Sequence, residues 1–516
     1  MGRDVFYITT PIFYANDVPH IGHAYTAVAA DFIARYHRLR GERVFHLTGT
    51  DEHGLKVQRA GEANGVTAQE WVDRLESSWR DVWARLDIAY DDYIRTTEPR
   101  HAAAVAKILT AVKDNGRDDI YLSTYEGWYC VSCEAYYLES DLLEGNLCPI
   151  HERPVEFFRE DNYFFRLSAY ADRLLAHYDA HPEAVQPETR RNEVLSLIRG
   201  GLQDFSISRT TFDWGIPLPW DETHIAYVWF DALTNYITAA GYADDPQRFA
   251  SMWPANIHMI GKDIIRFHAV YWPAMLMAAG IETPEQVWAH GYLTVGGKKM
   301  SKTNLTGIHP FELIDHFGVD SYRYYWLRQI AFGADGDFSW EAMVERHNAD
   351  LANGLGNLAS RVLAMLASYL DGVVPSATSP GAESDLPEVV AGAAERYDDH
   401  MLALELHKAV GAVWSIVDRA NGYLVEKEPW KLAKDPSRRA ELEAVLYASA
   451  ETLRILAILI QPIMPTAASR LWTQLGLAGT PADQHVPASI TWGQLEPGTK
   501  THKGGSLFPR LEVEKV

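Results

Sequence analysis

The stretch "PHIGHAYTAVAADFIARYHRLRG" (Pro19–Gly41) lies between two apolar runs, and that placement decides the fold. Ile21, Tyr25, Val28, Phe32, Ile33, Tyr36 and Leu39 recur at helical spacing, which predicts an amphipathic helix that Gly41 is placed to end. Before it, "VFYITT" (residues 5–10) is short, apolar and β-branched, so it predicts a buried strand. After it, "RVFHLTGTDEHG" (residues 43–54) predicts a second strand with a polar tip. Strand, helix and strand in this order form a βαβ unit, in which ligands bind at the carboxyl ends of the strands. His20 and His23 stand three residues apart at the front of the helix. Two imidazoles on one helical face suit a metal ion, a phosphate, or neither.

The chain has 516 residues, enough for about three to five domains. Its apolar content of 47% is that of an ordinary globular protein, and no apolar run is long enough to predict a membrane span. The start, "MGRDVFYITTP", does not read as a signal peptide, so a cytoplasmic enzyme is expected. A net charge of −22 argues against a whole-surface grip on nucleic acid, and any RNA contact must use local basic patches and shape.

Further along, Thr67-Ala68-Gln69-Glu70 fits a capping box, and a helix starting near Pro99 stops at Asn115-Gly116. The expected division is residues 1–116, the first half of a Rossmann-type α/β domain; 117–225, a connective insertion; and 226–290, the second half. Residues 291–350 would hold a lysine loop, 351–475 an α-helical bundle, and 476–516 a tail packing back on the core. That tail reads as irregular structure with a final strand at "LFPRLEVE" (residues 507–514). The insertion contains all three cysteines. Cys130-x2-Cys133, fourteen residues, then Cys148-x2-His151 is the spacing of a four-ligand zinc knuckle. Four protein ligands leave no open position, so this Zn2+ would be structural.

"GGKKMSKTN" (Gly296–Asn304) is flexible and cationic, but it is not a Walker A loop, because Tyr292 stands where the first glycine is required. Alone, such a run is more often a solvated charge cluster than a phosphate loop.

The pairing of the two stretches changes that weighing. A His-x-Gly-His followed far downstream by Lys-Met-Ser-Lys-Thr, on an α/β background, resembles the two signatures of class I aminoacyl-tRNA synthetases. "PIFYANDVPHIGH", "GTDEHG", "SISRTTFDWGIPLP", "YVWFDALTNYI", "GKDIIRFH", "HGYLTVGGKKMSKT", "DGDFSWE" and "NGLGNLASR" together resemble the methionyl-tRNA synthetases, over about residues 5 to 361. The resemblance implies an enzyme that activates L-methionine with ATP and Mg2+, releases pyrophosphate, and passes methionine to the 3′ end of initiator and elongator tRNA(Met). It assigns His20, Gly22 and His23 with Lys299, Ser301 and Lys302 to ATP, and Asp263 to the ribose. His20, His23, Lys299 and Lys302 are the catalytic set. The physics agrees, since a helix N-terminus with two added imidazole donors is an anion cradle and Gly22 lets a nucleotide lie against the backbone.

For methionine, the resemblance implies that Asp51 binds the ammonium group and that Ile12 and Tyr14 line the site. Trp229, Ala232, Tyr236, Ile264 and Phe267 would wall an apolar slot whose far end His268 reaches. Aromatic and apolar walls suit a polarizable sulfur. Taken singly, each aromatic is as well explained by core packing. The sequence departs from the family pattern at Thr303, which keeps the hydroxyl of the usual serine, and at His151, where many relatives have cysteine. A slot that discriminates by one methyl gains only about 1–3 kcal/mol, so homocysteine is an expected near-miss substrate.

The helical half resembles the family's anticodon-binding bundle. Asn357 and Arg361 share a helical face, and Trp430 would stack an anticodon base, with Lys431, Lys434, Arg438 and Arg439 offering a local basic patch. Many relatives carry a further C-terminal dimerisation module that this sequence lacks, so a monomer is expected, and no membrane partner. Three rival readings fit part of the pattern: a small adenylyltransferase, a tRNA-binding paralogue without activity, and a class I synthetase for cysteine or leucine. The helical half disfavours the first and the intact motifs the second; the separate zinc insert disfavours a cysteine enzyme.

Overall fold

The computed structural model describes residues 5–131, 135–137, 139–149, 152–295, 298–299, 309–376 and 384–512. The chain divides into two compact units. The first comprises Met1–Pro19, Val44–Val82 and Tyr90–His290; the second comprises His20–Arg43, Trp83–Ala89 and Gly291–Val516.

The first unit is built on a seven-stranded sheet. Its strands are β1 (Val5–Thr9), β2 (Phe13–Tyr14), β3 (Arg43–Asp51), β4 (Asp92–Arg95), β7 (Val185–Gln186), β8 (Ile257–Gly261) and β9 (Val287–His290). Their order is β2-β3-β1-β8-β9-β7, with β4 also on β3. β1 with β8, β8 with β9, β9 with β7, β2 with β3, and β3 with β4 are all parallel. Parallel strands are covered on both faces, which is why "IHMIG" and "VWAH" read as nearly continuous buried runs. Tyr7, Leu47, Ile94, Ile260 and Trp272 are fully buried in one core.

Two long antiparallel strands, β5 (Ile120–Cys130) and β6 (Glu156–Phe165), pair with each other outside that sheet. The expected box opens α2 (Ala68–Arg85): the Glu70 N–H donates to Thr67 Oγ1 at 3.2 Å, and the Glu70 carboxylate accepts the Thr67 N–H at 2.9 Å. Helix α3 (Pro99–Lys113) ends just before Gly116, whose φ of +75° requires glycine's freedom.

The second unit is largely helical. It contains α1 (Ile21–Leu39), the helix expected between β1 and β3. It also contains α5 (Val319–Gln329), α6 (Asn357–Leu370), α7 (Leu386–Leu402), α8 (Leu406–Lys427), α9 (Arg439–Leu459) and α10 (Pro465–Gln474). Residues 377–383, in a Pro/Ser/Gly-rich stretch of sequence before α7, are outside the described residues. α9 is buried almost throughout, and its Glu451 accepts the N–H groups of Gly493, Gln494 and Leu495, anchoring the tail. The final strand expected at residues 507–514 is not present among the described residues. There the backbone pairs with side chains instead: Arg470 donates to the Leu507 carbonyl, His347 bonds the Pro509 carbonyl, and Asn348 both accepts from and donates to Leu511. Proline also removes one donor a ladder would need. No helix among the described residues is long and apolar enough to cross a membrane.

Candidate active site and its relatives

The residues assigned to methionine all belong to the first unit. Several fall at the carboxyl ends of its strands: Ile12 and Tyr14 after β1, Asp51 at the end of β3, and Ile264 after β8, beside Asp263 of the ribose assignment. The β2–β3 register sets Tyr14 directly opposite Asp51. Tyr14 then donates its hydroxyl to the His53 carbonyl at 3.0 Å.

Trp229 and Ala232 lie on α4 (Val228–Leu233). The Trp229 ring stacks on Phe267 at 3.7 Å with planes 3° apart, and Trp229 sits edge-on to His268 at 6.5 Å. Tyr236 and His268 are buried and joined, Oη to Nε2, at 2.7 Å. His268 Nδ1 lies 3.0 Å from the Ile264 carbonyl, which can only accept, so Nδ1 carries the proton. Nε2 therefore accepts and Tyr236 donates. Burial drives the His268 pKa down to about 4, against the raising effect of the Ile264 carbonyl, so the ring is neutral at pH 7. Burial likewise pushes the Tyr236 phenol far up. The pair is uncharged, and its mutual proton is spent internally. Tyr236 is held further by the Tyr7 hydroxyl on its carbonyl at 2.7 Å and by stacking on His258 at 4.1 Å. Asp263 is exposed; a Cβ at Gly261 would meet its Oδ1 at 2.6 Å, so the glycine lets the carboxylate fold back over the strand end.

The residues assigned to phosphate belong to the second unit. His20 is the N-cap of α1, and its Nδ1 accepts the Gly22 N–H at 3.1 Å. The His23 Nδ1 in turn accepts the His20 N–H at 3.3 Å. The two rings stack with centroids 3.7 Å apart. Both Nδ1 atoms are thus acceptors, so a neutral ring at either position carries its proton on Nε2. That is a pair of stacked N–H donors at a positive helix end, the charge arrangement an anion needs. Among the described residues no group of three or more His, Cys, Asp and Glu side chains suits a metal ion. The backbone of Lys299 lies in β11 (Lys298–Lys299), antiparallel to β10 (Leu293–Val295), which runs parallel to β12 (Gly336–Phe338). Ser301, Lys302 and Thr303 lie outside the described residues.

Arg361 on α6 places its guanidinium 5.3 Å over the Trp430 ring, and Asn357 is exposed at the start of the same helix. The expected basic patch is largely neutralised at short range. Lys431 pairs with Glu428, Arg438 with Glu441 and Arg439 with Glu443. Exposed pairs of this kind are worth about 0.3–0.5 kcal/mol each, little enough for an RNA phosphate to displace the acid.

Of the proposed zinc ligands, Cys130 and Cys148 are both buried and share one small cluster with Val155. Cys133 and His151 lie outside the described residues. The Cys148 N–H donates to the Arg153 carbonyl, and the Cys148 carbonyl accepts the Glu152 N–H. Two buried soft thiols brought together from the two ends of the spacing fit a zinc ion.

Three functional-site neighbours escaped sequence reading: His53, His101 and Asp231. His53 stood inside the quoted "GTDEHG" and Asp231 inside "YVWFDALTNYI", so motif membership was their one available signal.

Two family models match the chain: tRNA synthetases class I (M), over residues 6–153 and 137–363, and the anticodon binding domain of methionyl tRNA ligase, over residues 374–516. The methionine–tRNA ligase of Streptomyces coelicolor is 52% identical, covering 99% of this chain and 97% of its own. That of Mesorhizobium japonicum is 49% identical over 99% of this chain and 98% of its own. Among solved structures, Mycobacterium tuberculosis methionyl-tRNA synthetase in complex with methionyl-adenylate superposes with a TM-score of 0.93 at 46% identity, covering 98% of this chain and 100% of that one. Sequence identity at this level over nearly the whole length, with both catalytic and anticodon-binding models matched, leaves one conclusion: this chain belongs to the methionyl-tRNA synthetase family of class I aminoacyl-tRNA synthetases, the methionine–tRNA ligases.

Proposed function

We propose that this methionine–tRNA ligase selects methionine through Asp51 and the slot walled by Ile12, Tyr14, Trp229, Ala232, Tyr236, Ile264, Phe267 and His268. The observation that carries the reading is the neutral Tyr236–His268 pair, whose proton is already committed inside the pair. An uncharged, aromatic-walled end suits a thioether and rejects a charged side chain, which would lose its hydration without a partner. Asp51 supplies the single carboxylate that an amino acid's ammonium group needs.

In the first step the methionine carboxylate attacks the α-phosphorus of ATP in line, a P–O bond forms, and the bond to pyrophosphate breaks. The protein supplies no nucleophile. Its contribution is charge that fits the transition state better than it fits ATP. His20 and His23 donate through Nε2–H from the end of α1, while Lys299, Ser301 and Lys302 follow the departing phosphates and Asp263 holds the ribose. Mg2+ brought in with ATP would supply further positive charge to the same phosphates. In the second step the terminal ribose hydroxyl of tRNA(Met), initiator or elongator, attacks the methionyl carbonyl and AMP leaves. Asn357, Arg361 and Trp430 read the anticodon; the Arg361–Trp430 stack supports this by holding the indole as a ready platform. The zinc ion on Cys130, Cys133, Cys148 and His151 is structural, and its chemistry is to clamp the tip of the insertion. Homocysteine enters the slot as a weak substrate. The chain acts as a cytoplasmic monomer.

Methionine-dependent exchange of labelled pyrophosphate into ATP, with Lys302→Ala alongside, is the test. Exchange that needs methionine, ignores leucine and cysteine, and collapses in the variant is expected. Undiminished exchange in Lys302→Ala would remove the lysine from the mechanism.

A further inference from the structure

Asp231 is fully buried on α4, between Trp229 and Ala232 of the methionine slot. One carboxylate oxygen lies 2.6 Å from His53 Nδ1 and the other 2.6 Å from His101 Nε2. A carboxylate only accepts, so each ring donates at that atom. His101, itself fully buried on α3, is fixed at its other nitrogen by Thr238 Oγ1 at 3.1 Å. Burial alone would raise the Asp231 pKa, but the His53 charge and the hydrogen bonds from His101 and His53 outweigh it and hold the group at about 2.

His53 belongs to the other side of the site, two residues beyond Asp51. That turn is held along its whole length. The Glu52 carboxylate accepts from Thr50, Thr97 and Arg95, and the Glu52 carbonyl accepts the Trp214 indole N–H at 2.6 Å. The His53 carbonyl accepts the Tyr14 hydroxyl. The His53–Asp231 bond is therefore a direct strut between the turn that carries Asp51 and accepts the Tyr14 hydroxyl, and the helix carrying Trp229 and Ala232. The strut spans 178 residues of sequence.

We infer that His53 and Asp231 are positioning residues for amino-acid selection: their bond sets the distance between the ammonium-binding end of the site and the side-chain slot. The inference rests on the assignment of Asp51 to the ammonium group and of Trp229 and Ala232 to the slot. His101 holds the second oxygen of Asp231 from α3.

His53→Leu keeps the volume and removes the donor. His53→Asn keeps a donor, because its amide nitrogen takes the place of Nδ1. Pyrophosphate exchange is expected to show KM for methionine raised about tenfold or more in His53→Leu, the scale of one lost bond to a charged group. KM for ATP should be unchanged, and His53→Asn should restore the methionine KM. A folded His53→Leu with wild-type methionine KM would overturn the inference, as would equal impairment in leucine and asparagine variants. If the leucine variant does not fold, His53→Gln, whose amide reaches the Nε2 position instead, is expected to raise KM, and an unchanged KM there overturns the inference equally. Asp51→Ala separates the two readings. If it leaves the methionine KM unchanged, the ammonium assignment fails. If it raises KM while the His53 variants do not, only the strut fails.

Discussion

Removing Arg323 should cost the helical unit several kcal/mol of stability. The side chain, on α5, is fully buried. Its Nε donates to the Ile463 carbonyl, Nη1 to the Leu86 and Asp87 carbonyls, and Nη2 to the Pro462 carbonyl and, at 2.6 Å, to Asp31 Oδ2. Asp31 lies on α1, so one guanidinium ties the helix capped by His20 to the turn at residues 86–87 and to the end of α9. In Arg323→Met, Asp31 keeps Arg35 at 2.7 Å and the Ala89 N–H at 2.7 Å, so its charge is not orphaned. The carbonyls of Leu86, Pro462 and Ile463, all in buried residues, lose their donor. At about 1–3 kcal/mol for each unsatisfied buried group, with partial relaxation, the loss is about 5 kcal/mol. Arg323→Lys keeps the charge but not the planar fork, and should cost about 2–3 kcal/mol. Urea denaturation followed by tryptophan fluorescence reads both as shifts in midpoint. Adding Asp31→Asn to Arg323→Met should cost less than the sum of the two single losses. A loss below about 1.5 kcal/mol for Arg323→Met would refute the reasoning, because three buried carbonyls cannot go unpaired so cheaply.

Asp320 is held at about 6 by burial, against Arg323 and the Ala467 N–H, so the native state binds more protons than the unfolded chain between the ordinary 3.8 and 6. Stability is therefore lost as pH rises through that window; Asp320→Asn should gain about 1.5 kcal/mol relative to wild type between pH 5 and 7.5, and a pH-independent difference would contradict this. Since His268 titrates at about 4, methionine KM should show no His268 inflection between about pH 6 and 8; an inflection near the ordinary 6.5 that vanishes in His268→Gln would show a charged ring. Trp430→Ala should raise KM for tRNA roughly 5- to 150-fold in aminoacylation and leave pyrophosphate exchange untouched, whereas equal loss in both assays would place Trp430 in packing only. Elemental analysis should find one zinc per chain, and Cys148→Ala should lose it together with thermal stability; full occupancy in that variant would remove Cys148 from the ligand set.

The sequence by itself determined the local frame. The spacing of Ile21, Tyr25, Val28 and Phe32 sufficed for α1, the β-branched run at residues 5–10 for β1, and Thr67 with Glu70 for the opening of α2, because each depends on neighbours within one or two turns. The motifs around His20 and Lys302 identified the chemistry through resemblance. Other features depended on contacts that no local pattern encodes. "LFPRLEVE" has the alternation of a strand, but its backbone partners, as far as described, are the side chains of Arg470, His347 and Asn348. The basic run near Trp430 looked like a phosphate-binding patch, yet each paired residue already meets an acid one turn away. Arg323 reads as an ordinary helix-surface charge and is buried among acceptors from three separated segments. Asp231 draws His53 from 178 residues away and His101 from 130. Only the tertiary fold decided these pairings. A buried charge is stable only where hydrogen-bonding partners converge on it, and convergence from distant segments is a property of the packed chain, not of any stretch of it.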